Sequence, residues 1–251
     1  YEIRLSLVGS EMCIRDRNDS HRLWKELNQE DTIAVAQVAP AVRVAVAKEF
    51  GYNGENVMGK IVAALRRIGF NYIFDTSTAA DLTVMEESKE FADRLANGGK
   101  LPLFTSCCPA WIKYAENEYP EILPNISTCR SPMQMFASVI NEKFKGEGKK
   151  ILSVAVMPCT AKKGEAARDE FKDENGKPLV DFVITTQELI MMIKEAGIVF
   201  NEIEPEAVDM PFGTMTGAGV IFGVTGGVTE AVIRRVSTDK SLASLRNLAF
   251  E

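Results

Sequence analysis

Four short, almost uninterrupted apolar runs constrain this chain most: TIAVAQVA at 32–39, NYIFDTS at 71–77, ILSVAVMP at 151–158 and DFVITT at 181–186. Runs of this kind, as opposed to strict alternation, are what strands covered on both faces require. Between them lie segments with apolar spacings of three and four, such as MGKIVAALRRIGF and QELIMMIKEAG, which predict helices. AADLTVMEESKEFADRLANGG reads as a helix closed by a Gly-Gly stop, and SPMQMFASVINEKF as one capped by Ser131 with Pro132 at its first position. LPLFTS at 101–106 is expected to be a further strand, WIKYAENEY a helix stopped by Pro120, and AGVIFGVTGGVTEAVIRRV a strand or turn running into a last helix. Strands separated by helices predict an α/β fold with a parallel sheet. In such sheets reactive groups gather at the carboxyl ends of strands, and Pro40, Cys107, Cys108 and Cys159 each come directly after an apolar strand.

The 251 residues suffice to bury a full core, and the formal net charge of -6 argues against nucleic acid as a partner, since phosphate binding needs clustered Lys and Arg. No apolar run reaches the roughly 18 residues that suggest a membrane span. The chain has one histidine, His21, so histidine-based acid-base chemistry and most zinc sites are disfavoured. Five cysteines, four of them in the middle of the chain, fit a reducing compartment where thiols serve metals or catalysis. The first seventeen residues, YEIRLSLVGSEMCIRDR, lack the apolar core of a signal peptide. They read as a non-native, adapter-derived segment or as a short native strand and turn, and on either reading Cys13 is set aside from the chemistry.

Adjacent cysteines rarely bridge each other, because the intervening backbone would strain to reach disulfide geometry. Cys108 and Cys159 are too far apart in sequence for a compact CxxC clamp, yet on convergent strand ends they could serve one iron-sulfur cluster. On spacing alone the alternative, that they are free cysteines of an α/β core, stands equally open.

TSCCPAW at 105–111 and MPCTAKKGEA at 157–166 closely resemble the first two of three signature motifs of the iron-only (FeFe) hydrogenases. The resemblance runs through VAPAVRVAVAKEFG, ADLTVMEE, STCRSPMQMF and GAGVIFGVTGGVTEAVIRR, so it covers residues 22 to 251. It implies a catalytic domain of two lobes of mainly parallel sheet flanked by helices, with the metal site in the cleft between them. It implies that Cys108 and Cys159 ligate the 4Fe-4S cluster of the H-cluster, whose diiron subsite carries CO, CN and a bridging dithiolate. By the same resemblance Cys107 exchanges protons with the amine that bridges the two irons, and Glu87, Glu90 and Ser127 continue that route to solvent. A thiol with an ordinary pKa of about 8.5 suits such an exchange. Taken alone, two glutamates three apart would be a solvated helix face. Lys162 matches the lysine that hydrogen-bonds a cyanide ligand; Met157, Pro40 and Ala41 match residues lining the diiron pocket; and Glu165 matches a supporting residue of the second motif. No ligand role carries over to Cys129, which reads as a buried thiol.

The resemblance implies reversible interconversion of protons and hydrogen, with electrons from ferredoxin or an NAD(P)H-linked partner subunit. It also implies dependence on H-cluster maturation proteins and a cytoplasmic setting in an anaerobic bacterium, or an organelle in a eukaryote. The third signature, MxCPGGCxxGGG, which brings the other two cysteine ligands, does not occur in the sequence. Residues 18–251 are therefore expected to form a partial catalytic domain that cannot retain the complete H-cluster or turn over hydrogen. Two rivals carry weight. One is an iron-sulfur assembly adaptor of the same fold, which lacks the doubled cysteine and the proton route; the other is a hydrogen-sensing relative.

Overall fold

A computed structural model of the chain describes residues 18–212, 215–224 and 226–237; the segment 1–17 with Cys13 and the residues after 237 lie outside them. The described residues fall into two compact units. One is built from the residues up to Asp75 and from Ala137 to Phe212; the other comprises Thr76–Phe136 and the described residues from Met215 on.

The first unit is an α/β layer structure. After α1 (Ser20–Leu27), the strands β1 (Thr32–Val38), β2 (Tyr72–Asp75), β3 (Lys150–Met157) and β4 (Phe182–Thr185) form one sheet in the order β2-β1-β3-β4. Every pairing is parallel, as the helical connections demand. Val35, Ala36, Val154, Val156 and Ile184 are fully buried, which explains why the central strands read as continuous apolar runs. The covering helices are α2 (Pro40–Glu49), α3 (Met58–Ile68) and, after β4, a helix over Thr186–Glu195. Pro40 takes the first position of α2, where its missing N–H costs nothing and its fixed φ favours the helix. α3 ends at Gly69, whose φ of 120° gives the turn back into β2.

The exposed edge of β2 is partly covered by the chain itself. Asp209 donates its N–H to the Ile73 carbonyl (2.9 Å) and accepts the Ile73 N–H at its carboxylate (2.8 Å), while Arg66 holds Asp209 (3.0 Å) and Glu206. The strap approaches so closely that a Cβ on Gly59 would lie 2.7 Å from Pro205 Cβ. Covering an edge in this way removes a template for intermolecular strand pairing.

The second unit is mainly helical: α4 (Ser77–Ala96), α5 (Pro109–Glu118), the start of α6 (Pro132–Lys143), and a C-terminal helix over Gly227–Val236 that packs on α4. The cap and first position expected for α6 are present, with Gln134 N–H donating to Ser131 Oγ at 3.4 Å. One sequence expectation is corrected here. The stretch 101–106 makes only an isolated parallel bridge, Phe104 to Ile126, because Pro102 has no N–H to give a ladder. Of the strand or turn expected around 217–226 the structure forms a turn, a 3-10 segment over 217–220, and Gly226 before the helix over Gly227–Val236 has φ 77°, a left-handed conformation that suits glycine.

Leu65 on α3 is fully buried and Val44 on α2 is 69% exposed. Leu65→Ala is expected to destabilise the first unit by about 3 kcal/mol and Val44→Ala by less than about 0.5 kcal/mol. Urea denaturation monitored by circular dichroism checks the contrast.

Candidate active site

The residues singled out in the sequence divide between the two units. In the first unit they all stand at the carboxyl edge of the sheet. Parallel pairing sets Val38 of β1 opposite Val156 of β3, so Pro40 and Ala41 at the start of α2, Met157 at the end of β3 and Cys159 just beyond it come at the same end of neighbouring strands. Asp75, the last residue of β2, lies on the same edge and pairs with Arg43 Nη2 at 3.1 Å, while Arg43 Nε donates to the Pro40 carbonyl at 3.1 Å. Met157 is buried, whereas Cys159 is exposed and takes part in no disulfide. The short helix α7 (Ala161–Ala166) comes next, on which Lys162 Nζ and Glu165 Oε2 pair at 2.6 Å.

In the second unit Cys108 occupies the N-cap position of α5, with Pro109 starting the helix, and is exposed; Cys107 is half-buried. Glu87 and Glu90 both project from α4, but in different environments. Glu87 is 1% exposed, and its Oε2 finds no hydrogen-bond partner. Burial is the main cause that pushes its carboxyl up to about 7; the neighbouring Ser127 side chain and Ser106 backbone pull it down, and the charge of Glu90 raises it further. Ser127 Oγ donates to Glu90 Oε2 at 2.7 Å. Ser127 thus hydrogen-bonds Glu90 and lies close enough to Glu87 to lower its carboxyl pKa. Glu90 also accepts from Arg94 Nη2 (2.6 Å) and from Thr128 N–H (3.1 Å), and it borders a cavity of about 660 Å³ lined also by Glu86, Lys89, Arg94 and Thr128.

Arg94 was not among the residues singled out in the sequence. Its guanidinium reaches the carbonyls of Lys100 (3.1 Å), Pro124 (3.2 Å), Asn125 (3.3 Å) and Ile126 (2.9 Å), tying the Ser127 loop to α4. Its spacing of four from Glu90 was the available signal. Cys129, read in the sequence as a buried thiol, is half-buried and contacts the Thr83 and Arg130 carbonyls. Burial first, then the charges of Glu87, Glu86, Glu90 and Cys107, push its thiol up to about 12, so it stays protonated.

Among the described residues no group of three or more His, Cys, Asp or Glu side chains is arranged to hold a metal ion. Cys108 and Cys159 do present exposed sulfur, and soft thiolates are the donors that an iron-sulfur cluster takes. The donor chemistry of each thiol is of the kind such a cluster takes.

The family model for the iron only hydrogenase large subunit, C-terminal domain, matches residues 32–251, and the chain belongs to that family. It is similar to the NADP-reducing hydrogenase subunit HndD of Solidesulfovibrio fructosivorans, 45% identical over 236 residues that make up 90% of this chain and 40% of that protein. Among solved structures it resembles a variant of the FeFe-hydrogenase HydA1 of Chlamydomonas reinhardtii, with a TM-score of 0.75 and 39% identity over 88% of this chain and 57% of that one. It also resembles cytosolic iron-sulfur assembly component 3 of Bos taurus, 35% identical over 72% of this chain and 40% of that protein. The chain spans about two fifths of the length of these curated relatives.

Two measurements test the site. A carboxyl whose folded pKa of about 7 exceeds its ordinary 4.5 is unperturbed below pH 4.5, where both states are protonated; above it the folded state resists ionisation, so stability falls as pH rises from about 4.5 to about 7. Glu87→Gln is expected to remove this loss, gaining up to about 3 kcal/mol at pH 8 and little at pH 4 in denaturation curves. Iodoacetamide at pH 8 is expected to label Cys108 and Cys159 at least about a hundredfold faster than Cys129, read by peptide mass spectrometry.

Proposed function

We propose that these residues belong to an iron hydrogenase that interconverts protons and hydrogen, with Cys108 and Cys159 as two of the cluster's sulfur ligands. Met157, Pro40 and Ala41 would line the pocket of the diiron subsite, Lys162 would hydrogen-bond its cyanide, and Glu165 would hold that lysine in place. The H-cluster supplies the redox chemistry when bound. The protein's part is to hold it, exclude water and deliver protons.

Proton delivery is the step that the chain's own atoms support best, and the Glu87–Ser127–Glu90 chain is the observation that carries the reading. A hydroxyl has one proton. With Ser127 donating to Glu90, a hydrogen bond between Ser127 and Glu87 requires Glu87 to be the donor, and its pKa of about 7 makes the protonated form accessible near neutrality. Reversing both bonds moves one proton by one carboxylate. Glu90, at the cavity, exchanges with solvent, and Glu87, which accepts the Ser106 N–H, lies against the segment that carries Cys107. Cys107 would then pass the proton on.

An iron-sulfur assembly adaptor is the second reading, favoured by the likeness to cytosolic iron-sulfur assembly component 3. The doubled cysteine and the intact carboxylate-hydroxyl chain weigh against it. Electrons would come from ferredoxin or an NAD(P)H-linked subunit, the cluster from maturation proteins, and the setting would be cytoplasmic. Residues 18–251 are read as part of the catalytic domain, so the 251 residues alone are expected to be inactive.

The whole protein, produced with the maturation proteins, is expected to show infrared bands of iron-bound CO and CN and to evolve hydrogen from reduced viologen. Cys107→Ser and Glu87→Gln are each expected to lower the rate about a hundredfold or more while keeping the bands. Absence of the bands would favour the adaptor; bands with undiminished rates in both variants would remove the proton route.

A further inference from the structure

The second motif carries two consecutive lysines, and the family reading employs only the first. Lys163 is more deeply buried than Lys162, with 3% of its side chain exposed. A buried ammonium is retained only when it is paired. Lys163 Nζ lies 2.6 Å from Glu188 Oε1 and 3.4 Å from Asp19 Oδ2, and those carboxylates are themselves 9% and 3% exposed. Glu188 is the hub. Its Oε1 also accepts the Asp19 N–H at 3.1 Å, and its Oε2 accepts the Thr185 N–H at 2.6 Å within the capping box that opens α8 (Thr186–Glu195). One carboxylate thus joins three segments of the first unit: the approach to α1, the motif helix α7, and the β4–α8 junction.

α7 has six residues and would not persist as an isolated helix. Successive residues on a helix point about 100° apart, so Lys162, pairing with Glu165 along the helix, and Lys163, pairing with Glu188 and Asp19 across the fold, fix both its rotation and its seat. The backbone of this turn also carries Cys159, whose carbonyl accepts the Lys162 N–H at 3.3 Å.

We propose that Lys163 is a positioning residue for the metal centre: its buried pairing with Glu188 and Asp19 holds the turn that presents Cys159 and Lys162. The metal-related part of this proposal rests on the hydrogenase reading; the holding of the turn does not. Removing the ammonium leaves the buried carboxylate of Glu188 without its cation, while Asp19 keeps Arg22 at 3.3 Å, and the segment over residues 158–167 is then free to leave its seat.

Lys163→Met, Lys163→Arg and Glu188→Gln are compared with the parent in two ways. By hydrogen exchange with mass spectrometry, Lys163→Met is expected to speed exchange over residues 158–167 by about tenfold or more, with β1 unaffected and Lys163→Arg close to the parent. If Lys163→Met does not yield soluble protein, Glu188→Gln, which keeps the cap geometry and loses the charge, is expected to give the same localised change. Unaltered exchange in the soluble variants overturns the proposal. In the whole protein reconstituted with ferrous iron and sulfide, cluster absorbance is expected to fall in Lys163→Met as it does in Cys159→Ala, and to return in Lys163→Arg. Faster exchange with full cluster retention also overturns it. If Cys159→Ala itself leaves the cluster intact, the hydrogenase assignment of Cys159 fails, and the exchange data alone decide whether Lys163 holds the turn.

Discussion

The pairing of β1 with β3 is the constraint on which the first unit depends. Seven residue pairs, from Thr32 with Lys150 to Val38 with Val156, fix two central strands in parallel and in step, and the buried faces of both forbid a slip, which would turn each apolar side chain to the wrong layer. Because the strands end in step, the segments beyond them start at one level: Pro40 opening α2 on one side and Cys159 opening the second motif on the other. Ala39 N–H donates to the Val156 carbonyl at 3.0 Å and extends the pairing one residue beyond β1. A parallel sheet thus converts a separation of more than a hundred residues into adjacency, without any direct bond between the residues that the chemistry needs.

The legible part of the sequence tracks the range of the forces involved. β1, β3 and β4 were visible because burial on both faces leaves a local signature, and the start of α6 because proline acts on its own backbone. Residues 101–106 misled because their apolar character comes from packing; the backbone there makes one bridge, and Pro102 denies it more. The proposed metal ligands were legible only through motif resemblance, since two cysteines so far apart carry no spacing signal. Arg94 was half visible, one helical turn from Glu90, but three of its four carbonyl partners lie at 124–126, some thirty residues on, where no local pattern announces them. Lys163 was invisible in kind: its partners are 25 and 144 residues away, and a lysine in a polar turn reads as solvated until a fold encloses it.

Two glutamates of this fold, Glu87 and Glu188, are buried almost equally, 1% and 7% exposed, and show what decides whether a buried carboxylate is structure or chemistry. Glu188 meets an ammonium and two backbone N–H groups, so its charge is matched and every donor has a fixed geometry. Such a group holds segments together, and moving a proton onto it would break the arrangement. Glu87 meets one hydroxyl and one N–H, leaves an oxygen without a hydrogen bond, and has the charge of Glu90 nearby instead of a cation. Neither of its protonation states is strongly preferred near neutrality, and the hydroxyl beside it can reverse its own hydrogen bond at little cost. The presence or absence of a paired cation suits one to hold segments together and the other to the proposed role of proton carrier.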